Sequence, residues 1–149
     1  MTRRNCLQLA LGALWGARRT ATANGGGSRQ DLVVIVHPSN PFRSLGSTKL
    51  SYLFLKKVSR WPNGAEALPI DLAPGARARQ KFQRQVLRLT EEQLADYWIG
   101  QRATRGIGPP PQVGEAAAAR SWVAARPGGI AYIPASELDS TVKPIRVEP

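Results

Sequence analysis

Residues 32–36 read LVVIV, five consecutive branched apolar side chains with no polar residue to face water. A strand with one wet face alternates apolar and polar residues, whereas an unbroken run suits a strand covered on both faces, as in an α/β sheet. The run ends in HPSNP, residues 37–41, where neither proline can donate to a ladder. The folded domain is therefore expected to start near Asp31 with a buried strand that delivers a polar loop.

Helical and strand patterns then alternate. Leu50, Leu53, Phe54 and Val58 recur at helical spacing, with Ser47 placed to cap the first turn. Residues 67–72, ALPIDL, read as a second strand, and the APG that follows feeds another helix. In that helix Ala78, Phe82, Val86 and Leu89 make one apolar stripe, while Arg77, Arg79, Lys81, Arg84 and Arg88 are spread over the remaining surface. Thr90 and Gln93 form a capping box for a further helix, where Glu91 and Glu92 favour the positive end and Leu94, Tyr97 and Trp98 give the buried side. A helix over EAAAARSWVAA, a stop at PGG, a third strand IAYIP and a short edge strand VKPIRV complete the chain, with Pro144 tolerated at the edge. The alternation implies an α/β domain with a partly parallel sheet.

Ahead of the domain, Arg3 and Arg4 make a basic start, residues 6–17 a short apolar core, and Ala21, Thr22 and Ala23 a small-residue cleavage site. Residues 1–23 are thus expected to be a signal peptide cut after Ala23, with twin-arginine character, and residues 24–30, NGGGSRQ, a flexible linker. The apolar core is shorter than the ~20 residues a bilayer span requires. The only cysteine, Cys6, leaves with the signal, so the mature chain has no disulfide and no thiol chemistry. Export of the domain, residues 31–149, to the periplasm or beyond follows. Losing four arginines and no acid lowers the formal charge of the 149-residue chain from +11 to +7.

The basic balance admits nucleic acid, an acidic surface or an anionic ligand. Arginine outnumbers lysine sixteen to five, a bias that nucleotide composition alone can produce. Trp61, Tyr97, Trp98 and Trp122 fall on apolar stripes or in a turn, so core packing explains them better than base stacking, and export argues further against nucleic acid. His37 is the only histidine, with no nucleophile elbow or thiol to serve, and is best read as a polar residue ending a strand. No metal-ligand spacing and no phosphate loop of the nucleotide-binding kinds is present, so no metal and no cofactor is expected. Gly75, Ala76 and Arg77, at the start of the basic helix, are the place where free amides and the helix dipole favour an anion.

The segments VVIVHPSNPFRSL, KLSYLFLKKVSRWPNG, RARQKFQRQVL and PGGIAYIPASEL, in that order, resemble the phosphate-type substrate-binding proteins of ABC transporters, and most closely short exported members of that family. The resemblance covers residues 31–147. It implies one lobe of a periplasmic binding protein type II fold, a mixed, mostly parallel sheet flanked by helices, with no enzymatic activity. It implies weak binding of phosphate or another oxyanion, with Ser39 and Asn40 as donors, Gly75, Ala76 and Arg77 as the helix start, and Arg77 or Arg105 as counter-charge. Relatives commonly carry a Ser-Gly-Thr stretch before the helix with the phenylalanine; here residues 73–77 read APGAR, without a hydroxyl. The alternative is an interaction module that has lost small-molecule binding and meets an envelope or transporter protein through its basic helix.

Overall fold

The computed structural model describes residues 31–149, so the expected signal segment and linker lie outside the described residues. In chain order the elements are β1 (Leu32–Val36), β2 (Ser44–Gly46), α1 (Ser47–Phe54), β3 (Leu68–Pro69), β4 (Asp71–Leu72), α2 (Arg77–Phe82), α3 (Glu91–Arg105), β5 (Gln112–Val113), α4 (Ala116–Ala124), β6 (Gly129–Pro134) and β7 (Lys143–Glu148). A wide π turn, Gln83–Leu87, continues α2.

Five strands form one sheet in the order β2-β7-β1-β6-β3, and β4 pairs with β5 in a separate ribbon. The sheet is mixed, as expected, but not mostly parallel: its short parallel pairs lie at the margins, β2 with β7 and β3 with β6. At the centre β1 runs antiparallel to both neighbours, with Leu32 opposite Pro134 and Val36 opposite Ile130 and Lys143. The branched run does occupy the middle. Consecutive residues of β6, Ile130 through Ile133, are also fully buried, which requires cover on both faces because successive side chains point to opposite sides. Phe54 of α1 and Phe82 of α2 pack on the Tyr132 ring, and α2 and α4 both contact β1 and β6.

Four local expectations are corrected. Ser47 is the first residue of α1 and caps nothing; Gly46 occupies the cap position because β2 runs straight into the helix, leaving no intervening turn. The helix stops at Phe54, so Val58 lies beyond it and packs against the core from the following turn. The expected strand 67–72 is two strands. Ile70 donates to Ile130 in the large sheet, whereas Asp71 donates to Pro111 in the ribbon, so the backbone changes partners between adjacent residues. Finally, β7 is interior, between β2 and β1. Arg146 turns its N–H toward β2, bonding the Arg43 carbonyl at 2.9 Å. Two residues earlier Pro144 turns the same way, before the β2 ladder begins at Ser44 opposite Arg146, so no ladder bond is lost.

The Thr90 and Gln93 capping box opens α3 as expected, with Gln93 N–H on Thr90 Oγ1 at 3.2 Å and Thr90 N–H on Gln93 Oε1 at 2.9 Å. On that helix Leu94 is buried, but Tyr97 and Trp98 only half so. The Tyr97 hydroxyl reaches the Leu55 carbonyl at 2.7 Å and ties α3 to the end of α1.

Gly128 is where the chain leaves α4 and meets β3. Its carbonyl accepts from Leu68 N–H at 2.9 Å and Trp61 Nε1 at 3.3 Å, and a Cβ added there would stand 2.3 Å from the Glu66 carbonyl oxygen. Backbone must move to admit it. Gly128→Ala is expected to cost about 2–3 kcal/mol in urea unfolding, while Gly114→Ala, where a Cβ meets nothing within 4 Å, changes stability by less than about 0.5 kcal/mol.

Candidate functional site

The loop after β1 is held by its own side chains. His37 Nδ1 accepts from the Ser39 hydroxyl at 2.7 Å and from Ser39 N–H at 3.1 Å, so the histidine fixes the serine. Its expected role as an incidental strand end understates it. Asn40 is buried; its N–H bonds the His37 carbonyl, its Oδ1 accepts from Phe42 N–H at 2.9 Å, and its carbonyl accepts from Lys143 Nζ at 2.7 Å. That makes Asn40 a turn former, the Asx geometry that asparagine favours before an extended residue. Ser39 and Asn40 border a hollow of about 310 Å³ shared with Trp61, Asn63 and Gly128.

Gly75, Ala76 and Arg77 lie elsewhere. Gly75 has φ +90°, a left-handed conformation that glycine adopts without strain, and it turns the chain into α2, where Ala76 takes the cap position with no side-chain bond. Arg77 is exposed and borders a second hollow, of about 600 Å³, with Lys81, Arg84, Pro134 and Ser136. Lys81 also pairs with Asp31 at 3.3 Å. The register shows how far apart these groups are. Pro134 faces Leu32 at the start of β1, and Ser39 follows its end at Val36, so the two loci are separated by the length of a five-residue strand, about 13 Å. Arg105, at the end of α3, borders a third hollow with Lys57 and Trp122. The six residues expected to share one anion therefore fall at three places.

Sequence reasoning missed the most strongly bound charges in the domain. Arg79, expected on the surface, is 4% exposed. Its Nη1 donates to Asp71 Oδ2 at 2.7 Å and to the Leu72 carbonyl at 2.8 Å, and its Nη2 to Glu91 Oε1 at 3.1 Å. Asp71 Oδ1 accepts from Leu72 N–H at 2.8 Å and from the Tyr132 hydroxyl, and Gln83 Nε2 donates to Glu91 Oε2 at 2.6 Å. Helix α2 points Arg79 inward because it lies one turn before Gln83 and three residues before Phe82, all of which are buried. The one available signal was Asp71 itself, a carboxylate inside the apolar run ALPIDL, which had to find a cation if that run was buried.

Burial is the largest influence on Asp71 and raises its carboxyl above the ordinary value, outweighing the Tyr132 bond, the Arg79 charge and the Leu72 amide, which lower it. Burial likewise raises the Tyr132 phenol, and the Asp71 charge adds to this. Glu91 is lowered, first by the Gln83 bond and then by Arg79.

No family model matches the chain, and no curated protein matches it. Solved structures do. A phosphate ABC transporter substrate-binding protein from Clostridium perfringens, solved with bound phosphate, matches at TM-score 0.62 and 20% identity, over 78% of this chain and 44% of that one. An ABC-type phosphate transport receptor from Vibrio cholerae matches at TM-score 0.63 and 16% identity, over 78% and 45%. This chain has the phosphate-binding-protein fold. PstS from Borrelia burgdorferi agrees, at TM-score 0.59 and 13% identity over 78% and 46%. The chain spans less than half the length of these structures.

Within this phosphate-binding-protein fold, Arg79→Met leaves the Asp71 carboxylate buried without its guanidinium and is expected to cost about 3–5 kcal/mol near neutral pH in urea unfolding. The pH dependence has a defined sign. Because the folded-state value of Asp71 lies above the unfolded one, its contribution is full below the ordinary carboxyl value and is lost as pH rises through the folded value. Wild-type stability measured against Asp71→Asn is expected to fall as pH rises above about 4, the ordinary carboxyl value.

Proposed function

We propose that this chain is an exported, non-enzymatic binding protein of the phosphate-binding type, taking an oxyanion weakly at the basic hollow beside α2. The fold supports this most, since one structure that shares it was solved with phosphate bound. Arg77 and Arg84 add exposed cations around the hollow, and Ser136 a hydroxyl. Binding is weak because residues 73–77 carry no hydroxyl and the hollow is open to water, where charge pairs gain little. Gly75 and Ala76 shape the turn that presents Arg77, while Ser39, Asn40 and Arg105 act away from this ion. Export rests on the signal-like residues 1–23, and no helix among the described residues is long and apolar enough to cross a membrane.

A second reading, an interaction module for an envelope or transporter protein, is favoured by the self-bonded loop at His37, where the Ser39 hydroxyl is taken by His37 and the Asn40 Oδ1 by Phe42 N–H. Thermal unfolding of the full chain separates the two. Phosphate at ten times its Kd, against chloride at matched ionic strength, is expected to add about 1.4 kcal/mol and raise Tm by roughly 5 °C, and Arg77→Ala to remove the rise. A flat response to phosphate and sulfate up to tens of millimolar rejects oxyanion binding in favour of the second reading.

A further inference from the structure

The hollow beside Arg105 differs in kind from the one beside α2. Half-buried Val58, Leu68, Ile107 and Trp122 give it an apolar lining, and its volume of about 430 Å³ suits a small organic molecule. Three cations border it, Lys56, Lys57 and Arg105, against a single acid, Glu66. None of the three is neutralised. Lys56 Nζ donates to the Pro109 carbonyl at 3.4 Å, Lys57 lies over the Tyr52 ring at 5.0 Å, and Arg105 donates to the neutral Gln101 side chain at 3.4 Å. Among the described residues no carboxylate forms an ion pair with any of them.

The backbone that presents two of these cations is itself unusual. Lys56 has φ 52°, a left-handed conformation for which glycine is the ordinary residue, and a lysine there is held at a cost of about 1 kcal/mol. The turn is pinned by Lys56 N–H on the Leu53 carbonyl and Lys57 N–H on the Tyr52 carbonyl, and α3 is fastened to it through Tyr97 and Leu55. Both walls of the hollow are thus fixed to one another. An apolar lining with surplus positive charge at its border complements a molecule with an apolar body and one negative head.

We propose that this hollow binds a small organic carboxylate with an apolar body, seated against Val58, Ile107 and Trp122 with its carboxylate toward Lys57 and Arg105. This is a second site, separate from the oxyanion hollow at Arg77 and independent of it. An inorganic oxyanion would leave the apolar lining unused, and a neutral aromatic would leave the cations unpaired.

The test is calorimetric titration of the full chain with 2-naphthoate, 2-naphthamide and inorganic phosphate at matched ionic strength. Saturable one-site binding of naphthoate is expected, with the amide about tenfold weaker and phosphate unable to compete. The double substitution Lys57→Gln with Arg105→Gln, both at exposed positions, is expected to weaken naphthoate about tenfold without changing Tm. Ile107→Asp is expected to abolish binding, and Arg77→Ala to leave it unchanged. Absence of saturation, equal affinity for acid and amide, or full binding by the double variant overturns the proposal; loss of naphthoate binding in Arg77→Ala would move the anion to the α2 hollow and overturn it too.

Discussion

Asp71 and Arg79 could not be buried separately. An isolated carboxylate or guanidinium in this interior would be far costlier than the pair, and a buried pair still needs its remaining lone pairs and protons satisfied. Here they largely are, through Leu72, Tyr132 and Glu91, with Arg79 Nε left without a partner. The pair therefore sets where β4, α2, β6 and the start of α3 must stand relative to one another, because each contributes to the network. The Tyr132 ring, stacked on Phe82 with centroids 4.0 Å apart and tilted against Phe54, carries the same constraint into the apolar core. Hydrophobic cover alone would let α2 slide along the sheet; a charge-assisted, directional contact at its first turn, with the guanidinium held by Asp71, Leu72 and Glu91, does not.

That constraint also explains the break at residue 70. A strand continuing through Asp71 beside β6 would have carried this carboxylate along the large sheet, away from the ribbon in which it sits. Crossing to β5 instead places Asp71 in a short parallel pair opposite Gln112, with its side chain free to meet α2. Around the sheet, part of the charge that composition lumps together as a basic chain gathers at two separate hollows: two exposed arginines beside α2, and two lysines with an arginine near the end of α3.

What was legible in the sequence was mostly local. The capping box at Thr90 and Gln93 involves residues three apart, and the branched run at 32–36 announces its burial in its own composition, so both could be read without knowing any partner. The resemblance in segment order anticipated the fold that the solved structures share. Features that depend on distant residues were not legible. Nothing near Pro144 says that β2 will lie outside it, and nothing near Ile70 says that Pro111 will take the next amide. Arg79 illustrates the limit most clearly: it shares a helix face with Phe82, but its burial also needs Asp71, a partner on another element. The site residues suffered in the same way. Ser39 and Asn40 were correctly placed in a loop at the end of β1, but their side-chain hydrogen bonds go to that loop, which helical and strand periodicity cannot foresee.

The interior position of β7 has a consequence for how the chain comes together. Strand β2 has a place in the sheet only beside β7, and Ser44 pairs with Arg146, about a hundred residues downstream. Contacts of that span close slowly, since a long loop must be ordered before any ladder bond is gained. During synthesis the early half of the domain is therefore left with an unfinished sheet and an unclaimed strand until β7 has been made. A chain leaving the ribosome in this way stays open, and vulnerable to pairing with other edges, for as long as the roughly one hundred residues between the two strands take to translate.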